Sequence, residues 1–217
     1  MRFINPHPVA IHIIIAVLAT SCSAPMPKPP AVTPAPSETP PPSAAVQPKQ
    51  DESRQIVKKQ FEQAVSFMQD GKDKEATTLF ANITKLEPKL ASPHTNLGIL
   101  YYREEKLKEA EASFKEALRL DDKDYVAANY LGMLYRVQGR FSDAEAAYKQ
   151  ALAANPNYGY AHLNLAILYD LYLDKLPEAL DHYQQYQHII GKSDKQLTGW
   201  LADLHQRMKS SDEDPKP

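Results

Sequence analysis

Small, leucine and aromatic side chains recur along this chain at a fixed spacing. Gly98 and Tyr101 return 34 positions later as Gly132 and Tyr135, and most landmarks between them repeat in the same way. A constant period of this length predicts stacked supersecondary units, each burying its apolar side against the next. The pattern favours partner binding over catalysis, because such arrays present extended concave surfaces.

These landmarks resemble the tetratricopeptide repeat, which has a small residue, an alanine, an aromatic and a proline at fixed positions. Residues 125–158 carry the full set, as Gly132, Ala144, Tyr148 and Pro156. The resemblance implies an all-α, right-handed superhelical solenoid of about four helix pairs within a domain at 51–209. The implied repeats are unit 1 (57–90), unit 2 (91–124), unit 3 (125–158) and unit 4 (159–193).

The second half of unit 4 is shifted by one residue relative to the 34-residue period. Ala179 and Tyr183 come one residue late, which predicts an insertion near Leu173–Leu176, in the turn between its two helices. A helix at 194–209 then follows, with Ser193 as its expected cap. Its apolar stripe predicts a cap over the exposed end of the stack, with Trp200 either packed in the core or anchoring a partner. The stripe comprises Leu197, Trp200, Leu201, Leu204 and Met208.

In the family that the repeats resemble, the first helix of each unit lines a concave groove. The resemblance implies a protein or peptide partner there, and an apolar trough with a few polar groups suits an amphipathic helix or an extended apolar peptide. The implied partner-binding residues are Phe61, Val65, Ile99, Tyr102, Arg103, Asn129, Met133, Arg136, Tyr160, Leu163, Ile167 and Asp170. Glutamate at Ile99 and Met133 is expected to abolish partner capture without unfolding the stack.

Three alternatives to groove binding remain open. The trough residues could close against one another or against the C-terminal helix, the stack could self-associate, or the repeats could hold an enzyme or enzyme activator site. One partner type is argued against. Family members that bind chaperone tails hold a C-terminal carboxylate with basic residues, but Val126 and Tyr130 occupy those places here, although Asn96 matches.

The N-terminal region predicts export and anchoring. Residues 1–21 have a basic Arg2 and a short apolar run, which indicates a signal peptide. The segment LATSC, ending at Cys22, resembles the lipobox of bacterial lipoproteins, so lipidation of Cys22 is implied, with ordinary secretion as the alternative. Ser23 after the cysteine favours the outer membrane by the same resemblance. Residues 22–50 are rich in proline and predict a disordered tether, and residues 210–217 a disordered tail.

Composition and motifs exclude several kinds of chemistry. The net charge of −2 is spread over mixed charges, so no nucleic-acid surface is predicted. The chain has one cysteine and no glycine-rich phosphate loop, and its histidines are explained by packing, so we predict no metal, no cofactor and no catalytic residues. His94 and His162 share one repeat position, while His182 and His188 lie six residues apart on a helix.

These observations lead to one functional expectation. The protein would be a non-catalytic, periplasm-facing adaptor, lipid-anchored in the bacterial outer membrane, that assists assembly of an envelope complex of the pilus, secretion or energy-transducing kind. The alternatives are an activator or organiser of a cell-wall enzyme, or a self-associating scaffold. The oligomeric state is left open.

Overall fold

The computed structural model describes residues 48–191 and 195–213, and within these ranges it consists of helices joined by short turns, without strands. The helices are α1 (Pro48–Gln69), α2 (Asp73–Leu86), α3 (Ala91–Arg103), α4 (Leu107–Leu120), α5 (Tyr125–Val137), α6 (Phe141–Ala154), α7 (Gly159–Leu171), α8 (Leu176–Ile190) and α9 (Lys195–Glu213).

Consecutive helices form four hairpins, α1·α2, α3·α4, α5·α6 and α7·α8, and each hairpin packs on the next. The first helices of neighbouring hairpins also touch, as α3 with α5 and α5 with α7, while α9 packs on α8. Contacts between these helices therefore follow the order of the chain, as in a solenoid. The predicted all-α repeat fold is confirmed.

The turn inside each hairpin contains one residue in the left-handed region. This residue is Gly71 or Gly139 (φ 73° in both), and in the other two hairpins Glu105 (φ 59°) or Asp174 (φ 51°). Three residues join the helices of the first three hairpins, whereas four residues, 172–175, join α7 to α8. The late fourth turn is thus an insertion of one residue, as the sequence predicts.

A repeated ionic cluster joins neighbouring units at the turn end. Glu145 on α6 accepts a hydrogen bond from Tyr169 Oη at 3.0 Å and pairs with Lys175 Nζ at 3.1 Å, both from the next unit. One period earlier, Glu111 pairs with Arg140 at 3.2 Å. The 34-residue period therefore repeats contacts between units as well as those within them, although pairs this exposed stabilise the stack only weakly.

Two predicted boundaries were wrong by a few residues. Helix α1 begins at Pro48, inside the segment 22–50 predicted as tether, since proline is accommodated in a first helical turn. Helix α9 extends to Glu213 rather than ending at 209, because no helix breaker occurs before Pro215. The signal peptide, Cys22, the tether up to residue 47, the Ser193 cap and residues 214–217 lie outside the described residues.

The C-terminal helix covers the last hairpin as a cap. Leu197 and Leu204 are fully buried, and the half-buried Trp200 places its ring 5.9 Å from that of Tyr183 on α8. Trp200 is therefore packed on the fold in this structure.

Candidate partner-binding groove

Most apolar residues of the predicted groove lie inside the stack. Phe61, Ile99, Met133 and Leu163 expose 8% of their surface or less, because they belong to the hydrophobic core that runs within and between the hairpins. Val65 and Ile167 are half-buried against the same core, so these positions offer a partner little surface.

Asn129 holds two first helices together. It is fully buried, and its Oδ1 accepts a hydrogen bond of 3.0 Å from Nδ2 of Asn164 on α7. Its own Nδ2 lies 3.8 Å from the sulfur of Met133. The amide of Asn129, predicted to contact a partner, thus bonds within the chain, between α5 and α7.

Tyr102 and Tyr160 remain half-buried at the groove surface. Tyr102 packs edge-on against the ring of Tyr130, with centroids 6.2 Å apart, and Tyr160 packs against Tyr158 at 5.9 Å. Burial raises the pKa of Tyr102, while the charge of Arg136 opposes that change. The hydroxyl of Tyr102 is therefore protonated at neutral pH.

Two of the three charged groove residues have ionic partners within the chain. Arg103 pairs with Asp73 of unit 1 at 3.1 Å. Asp170 is 9% exposed, accepts a hydrogen bond of 3.2 Å from Tyr183 Oη, and pairs with Arg207 of α9. The C-terminal helix thereby neutralises the acidic end of the groove.

Arg136 is different, because no carboxylate of the described residues lies within ion-pair distance of it. Its Nε donates a long hydrogen bond of 3.4 Å to Tyr148 Oη, and its guanidinium carbon lies 5.8 Å from the ring centre of Tyr172. The side chain is half-buried beside these aromatic rings, and no acidic side chain in the described part of the chain neutralises it.

The structure adds residues that the sequence argument omitted. Val137, Leu171 and Tyr172 expose 59%, 53% and 39% of their surface at the C-terminal ends of α5 and α7. Phe141 joins them, with its ring centre 4.9 Å from that of Tyr172. We call these four residues the turn patch. Val137 and Leu171 stand 34 positions apart, so the period itself could have identified them as equivalent positions.

A histidine pair is the other arrangement that sequence spacing missed. Nδ1 of His162 lies 2.9 Å from Nδ1 of His182, and Nε2 of His162 lies 3.0 Å from the carbonyl oxygen of Pro156. A carbonyl only accepts, so His162 carries its proton on Nε2 and His182 donates from Nδ1. No group of three or more potential metal ligands occurs among the described residues.

None of the helices in the described ranges combines the length and the apolar character needed to cross a bilayer.

Comparison with known proteins agrees with this architecture. The family model described as tetratricopeptide repeat matches residues 95–158 and, overlapping, 129–194. No curated protein matches the chain. Solved structures with a similar fold include PilF of Pseudomonas aeruginosa, with 19% identity, 75% of this chain and 72% of that chain covered, and a TM-score of 0.64.

Two further structures share the fold. A thermophilic TPR protein of Thermus thermophilus is 20% identical over 72% of this chain and 85% of its own, with a TM-score of 0.58. The first TPR domain of Spaghetti (RPAP3), bound to an HSP90 peptide, is 22% identical over 55% of this chain and 93% of its own, with a TM-score of 0.51. Repeat folds of this kind serve protein–protein interaction. This chain therefore has an all-α helical repeat fold of the tetratricopeptide type, and its residues 95–194 match the model of that family.

Proposed function

We propose that this protein is a non-catalytic adaptor that docks a protein partner on the turn patch and the adjoining edge of the groove. The observation that carries the proposal is the set of exposed apolar side chains of Val137, Leu171 and Tyr172 near Arg136, which has no carboxylate partner among the described residues. The tetratricopeptide-type domain of Spaghetti is bound to a peptide, which supports peptide docking as the mode of interaction here.

The patch differs from the apolar residues deeper in the groove. Those residues are already removed from water, so a partner gains nothing by covering them. The turn patch still exposes apolar side chains, and burying such surface provides roughly 25 cal/mol per Å². Aromatic and arginine side chains are also the types that dominate binding energy at interfaces.

A paired set of variants tests the docking surface. Val137→Glu with Leu171→Glu places two charges on the patch while leaving the core untouched, so we expect partner crosslinking in the native cell to disappear. Leu86→Glu is the matched control, because Leu86 is 51% exposed but lies on α2, away from the patch. If a photo-crosslinker at the patch yields the same partner in the double variant as in the wild type, docking occurs elsewhere.

The proposed location is the periplasmic face of the outer membrane, through a lipidated Cys22. The support is the LATSC segment before a proline-rich stretch. Cys22→Ala should move the protein from the membrane to the soluble fraction, because it removes the residue that would carry the anchoring acyl chains. Ser23→Asp should keep the protein membrane-bound but in the inner membrane. Unchanged fractionation of Cys22→Ala would refute the anchor.

The proposed role is to assist assembly of an envelope complex of the pilus, secretion or energy-transducing kind. Its support is the resemblance to envelope lipoproteins with tetratricopeptide repeats, together with a fold similar to that of PilF. The second candidate is an organiser of a cell-wall enzyme, and the third is a self-associating scaffold. Mass spectrometry of patch crosslinks separates them, since self-association would return peptides of this chain.

A further inference from the structure

We propose that the partner segment carries the side-chain carboxylate of an aspartate or a glutamate, which binds Arg136 while apolar side chains beside it cover the turn patch. This inference rests on the proposed function and names the partner's chemistry.

The ionic partners of the charged groove residues support the assignment of Arg136 as the carboxylate-binding residue. Arg103 is neutralised by Asp73, and Asp170 by Arg207. Arg136 is the groove arginine that lacks a carboxylate among the described residues, and it lies between the two neutralised positions in the order of the units. Of the charged residues predicted for the groove, Arg136 is thus the one that offers a partner a positive charge without an acidic neighbour in the described part of the chain.

The surroundings of Arg136 hold the cation without neutralising it. Burial raises the pKa of Tyr148 to about 12, even though the charge of Arg136 opposes that rise. Tyr148 is therefore a neutral hydroxyl at physiological pH. The centre of the Tyr172 ring lies 5.8 Å from the guanidinium carbon, a distance at which its π face stabilises the cation. The site thus supplies a cation and two nearby phenols, and no carboxylate of the described ranges pairs with that cation.

A peptide carboxylate fits this site better than a phosphate group. One guanidinium matches one carboxylate through two parallel hydrogen bonds, and the planar fork fixes the direction of the bound group. Phosphate recognition commonly gathers several cations, whereas Arg103 already has its own acid. The neighbouring surface is apolar and aromatic, as expected for a segment in which an acidic residue lies next to leucine-like or aromatic side chains.

Selection from a random decapeptide display library on the whole chain tests the inference. We expect peptides captured by the wild type to be enriched in aspartate or glutamate next to apolar residues. The enrichment should vanish with Arg136→Gln and persist with Arg103→Gln, the matched control from unit 2. Arg136→Lys keeps the charge but not the fork, so it should retain acidic enrichment at lower affinity.

One selected acidic peptide then provides a quantitative test. Exchanging its acid for the amide should weaken binding to the wild type by about tenfold or more, since hydrogen bonds to charged groups contribute roughly that much. The same exchange should have little effect on Arg136→Gln. This comparison on the wild-type protein remains decisive even if Arg136→Gln fails to fold.

The outcomes separate the two proposals. The inference that a partner carboxylate binds Arg136 would be wrong if the selected peptides bound the patch without acidic enrichment. It would also be wrong if the enrichment survived Arg136→Gln. Either result would leave the proposed adaptor function in place. Failure to select any peptide, with the wild type and Arg103→Gln both folded by circular dichroism, would overturn the peptide-docking function and this inference with it.

Discussion

The ring of Tyr148 lies directly against the backbone of Gly132. A methyl group added to Gly132 would stand 2.6 Å from two carbons of that ring, and one added to Gly98 would stand 2.5 Å from the ring of Phe114. The two glycines and the two rings are each 34 positions apart. This close contact between the helices of one hairpin explains why the small residue and the aromatic repeat together.

Gly132→Ala should therefore destabilise the stack. Overpacking a buried ring costs about 1–3 kcal/mol, and the higher helix propensity of alanine returns about 1 kcal/mol of that. We expect a net loss of about 1 kcal/mol in urea unfolding. Gly199→Ala is the control, since Gly199 is also helical but has open space around it, and it should be neutral or stabilising. Equal effects at both sites would contradict the packing explanation.

The left-handed turn residue provides a second prediction. Gly139 has φ 73°, which alanine adopts with strain, so Gly139→Ala should lower the free energy of unfolding by about 1 kcal/mol. Gly139→Asn should cost less, because asparagine tolerates this conformation. No methyl clash complicates the result, since no atom lies within 4 Å of the added carbon. Thermal unfolding of the two variants in parallel measures the difference, and identical midpoints would refute it.

The histidine pair predicts a loss of stability on acidification. Burial, and next the charge of His162, lower the pKa of His182, and burial also lowers the pKa of His94. A histidine with a lowered folded pKa binds its proton more readily in the unfolded chain. The contribution of such a histidine to the free energy of unfolding is complete above its pKa in the unfolded chain, about 6.5. This contribution is lost as the pH falls from there toward the pKa of the same histidine in the folded protein. Each such group changes stability by at most about 1.4 kcal/mol per pH unit.

The geometry indicates how the pair responds. One proton can be added to Nε2 of His182 while its Nδ1 still donates to His162, but protonation of both rings sets two donors against each other at 2.9 Å. His182→Gln should flatten the stability profile below pH 6.5, whereas His188→Gln, on the exposed side of α8, should leave its shape unchanged. Denaturant titrations between pH 7.5 and about 5 make the comparison. A wild-type profile without slope there would refute the role of the pair.

The ion pair between Asp170 on α7 and Arg207 on α9 is predicted to stabilise the docking of the C-terminal helix. The Asp170 side chain is 6% exposed, so removing its partner leaves a buried carboxylate supported by Tyr183 alone. Arg207→Ala should cost about 1–3 kcal/mol, with faster amide exchange along α9. Asp203→Ala removes the other, 67% exposed partner of Arg207 and should cost about 0.5 kcal/mol or less. Comparable exchange in the two variants would contradict this assignment.

The burial of Ile99 changes the result expected from a glutamate substitution at this groove position. Ile99 is 2% exposed, so a glutamate there would be an unpaired charge in the core. We now predict that Ile99→Glu unfolds the stack, a loss of about 3 kcal/mol or more, visible as lost helicity. Helicity equal to that of the wild type would show that the groove opens readily. Surface probes should instead use the turn patch.

The repeating pattern alone was sufficient to predict the helix pairs, the turn glycines and the extra residue in the turn of unit 4. These features depend on local spacing, since the close approach of Gly132 to Tyr148 requires the same residue types at the same interval in each hairpin. The general location of a groove followed from the resemblance, but the partner-binding role of its residues remains a prediction.

Only the tertiary structure decided which of those residues face water and which charges are neutralised. Exposure depends on how the helices pack within each hairpin and against the next hairpin, as with Asn129, which is buried and bonded to Asn164 of the following unit. Arg103 and Arg136 both lie near the C-terminal end of the first helix of their unit. In the described residues, however, Arg103 pairs with an aspartate of the preceding unit, whereas Arg136 contacts tyrosines. His162 and His182, twenty positions apart, meet because α7 and α8 fold back on each other. Such pairings follow from packing across helices, which no periodicity along the chain encodes.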